Sequence, residues 1–432
     1  MEVLRVEIFE RYESIVRSYC RQYTDVFDKA KNEFIYSVEG KEYLDFFAGA
    51  GALNYGHNNE YIKKYLLDYI EKDGITHGLD MYTNAKRSFI NDFVEKILKP
   101  RNLDYKIQFC GSTGTNAVEA ALKLARKVKK RNNIFSFMGG FHGMSLGSLA
   151  TTSNLSSRAG AGMPLSNVTF MPFPNSSLNI DTLDYIEKIL EDDHSGIEKP
   201  AAIILETIQA EGGINVASNE WLQGIASICK KHDILLICDD IQVGCGRTGD
   251  FFSFERANIV PDIVILSKSI SGYGLPMSLL LLNPKLDIWK PGEHNGTFRG
   301  NQLAFVASVA ALKLRENLDL DNSVRSKATY IKNFLETQIC TIDPRIEIRG
   351  MGMIWGIDLI KIGDLSLNTK IIKECFNRGL IIERAGRYGS VIKLLPPLTI
   401  TEENLRAGLE ILEGVLKENL SYKSSLQENS FA

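Results

Sequence analysis

The chain has 432 residues, of which 44% are hydrophobic, and its 50 lysines and arginines against 53 acids leave a formal charge of −3. This ordinary globular composition excludes disordered, collagen-like and coiled-coil chains, and the near-neutral charge offers no surface built to gather nucleic-acid phosphates or anionic lipid. At roughly 150 residues per domain the length suits two or three compact units or one large α/β unit with an appendage, and apolar stretches such as Leu279 to Leu282 fall far short of the roughly 20 residues that span a bilayer.

Glu7 to Tyr23 places Ile8, Tyr12, Ile15, Val16 and Tyr19 at helical spacing, which predicts a helix. Two alternating runs about Glu39-Gly40 predict a β-hairpin over 34–46, and the Gly-rich loop 49–56 follows. From 60 to 310 helical periods alternate with short apolar runs: a helix over 115–130, strands over 134–138 and 202–206, a helix over 218–232, and strands over 234–238 and 262–266. Repeated βα units of this kind imply an α/β fold with a large, doubly wound, mostly parallel sheet.

After Asn301 the pattern changes to long helices over 303–316, 323–340, 366–378 and 402–418, with a short strand over 353–359. The division this suggests is an amino-terminal segment, 1–60, packing with a small α+β domain, 311–432, beside a large domain, 61–310. The polar last dozen residues read as a frayed tail. Seven scattered cysteines without a C-x-x-C pair read as reduced thiols, and six dispersed histidines give no metal-ligand pattern. The amino end reads as neither a secretion signal nor a transit peptide, so the cytoplasm is the expected location.

Three segments carry chemistry. Gly111-Ser-Thr-Gly-Thr-Asn opens directly into an Ala-rich helix, and Asn116 with Glu119 three residues on reads as a capping box. Gly114 and Thr115 at that helix start would aim backbone N–H groups at an anion such as a phosphate; a tight turn with a good cap is the alternative. The basic run Arg126 to Arg131 at the other end complements the helix dipole. The second segment is the apolar run Ile234 to Cys238, which ends in Asp239 and Asp240, where ligands of open parallel sheets sit. In the third, another apolar run delivers Lys268 between two serines. Partial desolvation there would lower the lysine pKa and free its amine to attack carbonyls. A phosphate cradle, an acid for a ring nitrogen and an imine-forming amine are the parts that pyridoxal 5′-phosphate requires. No G-x-G-x-x-G opens the first βα unit, so a nicotinamide dehydrogenase is not expected, and a decayed, purely binding relative would have little reason to keep Lys268.

The strand-end Asp-Asp-Ile-Gln, the following Gly-Cys-Gly-Arg-Thr-Gly, then Ser-Lys-Ser, then Asn295-Gly-Thr-Phe-Arg-Gly-Asn, resemble the class III aminotransferases of the fold type I pyridoxal-phosphate superfamily. The resemblance runs over nearly the whole chain. It implies that Lys268 bonds the cofactor, that Asp239 keeps the pyridine nitrogen protonated, and that Gln242 lies near the ring hydroxyl. It further implies that Gly114 and Thr115 hold the phosphate, that Phe141 and His142 lie where an aromatic stacks on the ring, and that Thr297 reaches the phosphate of a partner subunit in a homodimer or larger homo-oligomer.

Two positions depart from the family pattern. Met144 stands where many members have a carboxylate-binding arginine, and Lys393 replaces a second such arginine. A lysine neutralises a carboxylate as a point charge, without the bidentate fork. Glu211 matches a glutamate that elsewhere covers that second arginine when an amine substrate binds. The activity the resemblance implies is a ping-pong transfer of the glutamate amino group to the aldehyde of aspartate 4-semialdehyde; another ω-amine, such as ornithine or 4-aminobutyrate, is the alternative.

Overall fold

The computed structural model describes residues 2–174, 178 and 180–428. Its frame is a seven-stranded sheet in the order Lys106–Phe109, Leu279–Leu282, Ile263–Leu266, Leu235–Asp239, Ala202–Leu205, Ile134–Phe137, Val168–Met171. The last five run parallel to one another, and only Leu279–Leu282 is reversed, pairing antiparallel with both neighbours. The inner strands are apolar on both faces because both are covered. Helix Gly114–Lys129 lays Ala117, Ala121, Leu124 and Ala125 on one face. On the other, Phe89, Phe93, Phe135, Phe137 and Trp221 form an aromatic layer under helices Asn84–Phe93 and Asn219–Lys231.

The carboxyl-terminal part forms a four-stranded antiparallel sheet, Glu347–Met351, Ile354–Asp358, Val391–Leu394 and Glu383–Ala385, packed against helices Leu367–Asn377 and Glu402–Glu428. The amino-terminal strands Phe27–Lys31, Phe34–Ser37 and Glu42–Asp45 form a second small sheet, which Leu380–Ile381 extends by pairing parallel with the last of them. Tyr23, Tyr43 and Phe46 share one apolar core with Phe376, Leu380 and Leu409.

Three expectations change. The amino-terminal helix is Glu2–Tyr12 and stops there: Ser14 Oγ accepts the Val16 N–H, a local bond that competes with helix continuation, and Ile15 and Val16 stand 84% exposed. The capping box does not form. Helix Gly114–Lys129 has Thr113 at its N-cap with no side-chain cap bond, while Glu119 reaches away to accept from Ser145 Oγ (2.6 Å), the Gly147 N–H (2.8 Å) and the Ser148 N–H (3.1 Å). The charge thus serves a neighbouring helix start, and its own helix start is left open to an anion. The final helix continues to Glu428, past the expected onset of the tail, whose last four residues lie outside the described residues.

Candidate active site

A cavity of about 160 Å³ opens at the carboxyl ends of the parallel strands, lined by segments that leave five of them. Gly114 and Thr115 follow Lys106–Phe109, Phe141 and His142 follow Ile134–Phe137, and Glu206 follows Ala202–Leu205. Asp239 ends Leu235–Asp239 and leads to Gln242, and Lys268 follows Ile263–Leu266. The structure therefore brings together Lys268, Asp239, Gly114, Thr115, Phe141, His142, Gln242 and Glu211. Thr297 and Lys393 are not in this lining: Thr297 is exposed on the segment before Gly300, and Lys393 is fully buried behind Glu211. Met144, 55% exposed, also lies outside it.

Of the two adjacent aspartates, Asp239 faces the cavity. Its Oδ2 lies 2.7 Å from His142 Nδ1, with both side chains almost fully buried, and its Oδ1 accepts the Ile241 N–H. Asp240 points away, accepts from Ser253, and is pushed up to about 7 by burial. Burial alone would lower the His142 pKa, but the Asp239 hydrogen bond and charge, with Glu206 behind them, raise it above the ordinary histidine value. The imidazole thus backs the carboxylate in a buried pair that favours its charged form. The His142 N–H donates to Thr152 Oγ1 at 2.9 Å, which fixes the backbone carrying the ring.

Lys268 has φ of +52°, a left-handed conformation unusual for a side chain with a Cβ, at the start of the short turn Lys268–Ser271. The flanking serines hold it there. Ser267 Oγ donates to Met277 O at 2.9 Å, and Ser269 Oγ donates to Gly51 O at 2.7 Å while accepting the Asn54 N–H. Burial lowers the amine pKa and nearby Lys393 lowers it further, against the opposing charges of Glu211, Glu383 and Asp239.

At the helix start, Thr115 Oγ1 is 2.7 Å from Ser145 Oγ. A Cβ on Gly114 would lie 2.8 Å from Ile241 Cδ1, so the tip of Ile241 would have to shift, and one on Gly143, at φ of +131°, would lie 2.4 Å from Thr115 Oγ1, so the backbone is left bare there. Gln242 Nε2 donates to Ala50 O (2.9 Å) and Glu211 Oε1 (3.2 Å), while its Oε1 is buried without a donor among the described residues. The free helix start, the unpartnered Gln242 oxygen, the acid and the buried amine together fit pyridoxal 5′-phosphate, end to end.

Beyond Gln242, Lys393 Nζ lies 2.6 Å from both Glu211 Oε1 and Glu383 Oε1. Glu383 sits directly opposite Lys393 in the strand pair. Burial would raise Glu211, but the charges of Lys393 and Lys268 hold it at about 2; for Glu383 burial wins, and its carboxyl is pushed up to about 7.

Two acids were missed by sequence reasoning. Glu206, buried and pushed up to about 7 chiefly by burial, accepts N–H bonds from Phe141 (2.8 Å) and Ala210 (3.2 Å). It ends an apolar strand as Asp239 does, and that signal was available. Glu383 lies in a three-residue strand with no readable period. Elsewhere, Glu187, Glu191 and His232 meet at the surface, but Lys231 pairs with both carboxylates.

The chain matches the model of the aminotransferase class-III family over residues 18–416. It is 54% identical to the diaminobutyrate–2-oxoglutarate transaminase of Halalkalibacterium halodurans, over 98% of this chain and 99% of that one. It is also 54% identical to the Streptomyces avermitilis enzyme of the same name, over 96% and 98%. Among solved structures, the acetylornithine aminotransferase of Elizabethkingia anophelis superposes with a TM-score of 0.80 at 28% identity, over 96% and 99% of the two chains. The ornithine aminotransferase of Toxoplasma gondii, whose active site holds partially occupied pyridoxal phosphate, shares the fold with a TM-score of 0.86 at 24% identity, over 98% and 96%.

Proposed function

The chain belongs to the class III aminotransferases, which use pyridoxal 5′-phosphate, and from that premise we propose that it moves an amino group from glutamate to aspartate 4-semialdehyde, giving 2,4-diaminobutyrate and 2-oxoglutarate. The observation that carries the reading is one cavity holding a buried amine, an imidazole-backed acid and an open helix start. Lys268 would bond the cofactor, Gly114 and Thr115 would take its phosphate, Asp239 would face the ring nitrogen, Gln242 the ring hydroxyl, and Phe141 a ring face. When bound, the cofactor supplies an aldehyde and a ring that withdraws electrons from the substrate carbon.

The chain's own part is to hold charge and move a proton. His142 keeps Asp239 oriented toward the ring nitrogen. Lys268, its amine pKa lowered by burial, would take the proton from the substrate carbon and hold it for return across the nitrogen. Glu206 fixes the Phe141 backbone, so that the aromatic face does not drift. Lys393 would meet the distal carboxylate of glutamate by exchanging its Glu211 contact for it, while Glu383 keeps the ammonium in place.

The active unit in this reading is a cytoplasmic homodimer with composite sites. The surface that supports it includes exposed Leu79, Met81 and Tyr82, and Phe298, which packs edge-on against His77 one residue from Thr297. Among the described residues no helix is long and apolar enough to cross a membrane. The product, 2,4-diaminobutyrate, would serve ectoine-type synthesis, with siderophore or antibiotic assembly as other consumers.

Loaded enzyme given 2,4-diaminobutyrate and 2-oxoglutarate should release glutamate and aspartate 4-semialdehyde in equal amounts. Borohydride should tag Lys268 by the mass of the reduced cofactor, as read on the peptide. Glutamate formation by Lys268→Ala at the wild-type rate, or a tag elsewhere, would overturn the assignment.

A further inference from the structure

The far end of the cavity is chemically unequal. Three of its acids line the space, and two are used up: Asp239 by His142 and the Ile241 N–H, Glu206 by the Phe141 and Ala210 N–H groups. Glu211 differs. Lys393 and Gln242 both donate to its Oε1, and among the described residues Oε2 accepts no hydrogen bond. About a third of the Glu211 side chain is open, and it belongs to the cavity wall.

No arginine lines the space, and its cations are Lys268, whose charge reaches Glu211 but whose amine is taken up by the cofactor in this reading, and His142, which is held by Asp239. The exchange that would expose the Lys393 charge belongs to the glutamate half of the cycle; while Glu211 stays on it, as it would with the amine substrate, Lys393 does not change this balance. It has no exposed side-chain surface, it lies behind Glu211, and the cross-strand carboxylate of Glu383 meets its charge from the other side. What a substrate meets at this end is therefore the free oxygen of a carboxylate. A group that can donate to it while carrying positive charge gains a charge-assisted hydrogen bond, whereas a bare carboxylate at the same point meets like charge.

Resting on the transaminase reading above, we propose that Glu211 selects the amine substrate by receiving its second, non-reacting ammonium, so that diamino substrates are preferred over mono-amines of the same length. 2,4-Diaminobutyrate carries that ammonium beside its carboxylate, three carbons from the reacting amine. 4-Aminobutyrate is the same molecule without the ammonium, and 1,3-diaminopropane is the same molecule without the carboxylate. The three compounds separate the two contributions by one group each.

The experiment uses cofactor-loaded enzyme and follows the single-turnover loss of visible absorbance with each of the three amines. The wild type should favour 2,4-diaminobutyrate over 4-aminobutyrate in kcat/KM by about ten- to a hundredfold, the scale of one charge-assisted hydrogen bond. 1,3-Diaminopropane should lie nearer the diamino acid than 4-aminobutyrate does. Glu211→Gln should collapse the diaminobutyrate-to-aminobutyrate ratio toward unity, and Glu211→Asp should restore part of it. Because the readout is a ratio, general damage to the site cancels. Equal use of the two acids by the wild type, or an unchanged ratio in Glu211→Gln, would overturn the proposal. If none of the amines converts the loaded enzyme, the transaminase reading itself fails.

Discussion

Replacing Lys393 by methionine keeps an unbranched stem in the core and removes one charge, which isolates the electrostatic role of the residue. The lysine is fully buried, 2.6 Å from Glu211 and from Glu383. Without it two carboxylates are left side by side, Glu383 buried and Glu211 only partly open. Glu383, already pushed up to about 7, takes up a proton near neutrality at little further cost. Glu211 loses the strongest of the contacts that draw it from 4.5 down to about 2, while Lys268 and Gln242 remain. At about 1.4 kcal/mol per pKa unit the full drop corresponds to about 3.5 kcal/mol, and since other contacts remain and about a third of the side chain is open, the loss comes to about 2 kcal/mol.

Spread over an unfolding entropy of about 2 cal/mol/K per residue, a loss of that size lowers the midpoint of a thermal scan by about 2 °C. The pH dependence is the sharper check. A carboxylate whose folded pKa is depressed stabilises the fold above its unfolded pKa and loses that contribution as pH falls. The gap between wild type and Lys393→Met should therefore be full at pH 6 to 7 and close between about pH 4.5 and about 2. Matched scans of cofactor-free protein across that range measure it. Equal midpoints at pH 7, or a gap that widens on acidification, would show that Lys393 does not hold the buried carboxylates, and that its charge is directed elsewhere.

Asp239→Asn should reduce kcat by about 10² to 10³, the range for losing one preorganised charge partner. It should also drop the His142 pKa below the ordinary histidine value, because burial then acts with only Glu206 to oppose it; histidine titration by NMR reads this independently of turnover. Gly143 has φ of +131°, and a Cβ there would fall 2.4 Å from Thr115 Oγ1 and 2.7 Å from Ser148 Oγ. Gly143→Ala should therefore displace Thr115 and weaken cofactor retention by about tenfold or more, the worth of one hydrogen bond, as measured by equilibrium dialysis; unchanged retention would remove Thr115 from the phosphate site.

The inner part of the large sheet was legible because its strands are fully buried, so each is an apolar run, and a run that stops at an acid or a lysine marks the edge where ligands bind; the outer strands Lys106–Phe109 and Val168–Met171 are only partly buried and mix polar residues into the run, so they left no such signal. Asp239 and Lys268 stand out for that reason, and Glu206 should have. Periodicity failed where local bonds outbid it. Ser14 ends the first helix after Tyr12 although apolar spacing continues, and the helix at Gly114 starts without the cap its sequence suggests because Glu119 is drawn to the Ser145–Ser148 turn. Glu383 could not be found at all. Its meaning comes from facing Lys393 across a strand pair of three residues, and register between two short strands leaves no trace in either one.

The same reasoning gives a task to motifs that sequence alone left without one. Lys268 is held in a strained backbone conformation, of the kind that costs on the order of 1–3 kcal/mol and survives only where the surroundings over-determine it. The restraint is traceable. Ser269 binds Gly51 O and the Asn54 N–H in the Gly-rich loop; Asn54 Oδ1 accepts from Arg247 in Gly-Cys-Gly-Arg-Thr-Gly; and Arg247, with no exposed surface, also donates to Met353 O and Pro396 O. The backbone under the lysine is thus clamped by segments from both ends of the chain, whereas its amine makes no hydrogen bond among the described residues. A residue that must first bond a cofactor and then carry a proton between two carbons needs a fixed root and a free tip, and here each requirement is met by a different set of contacts.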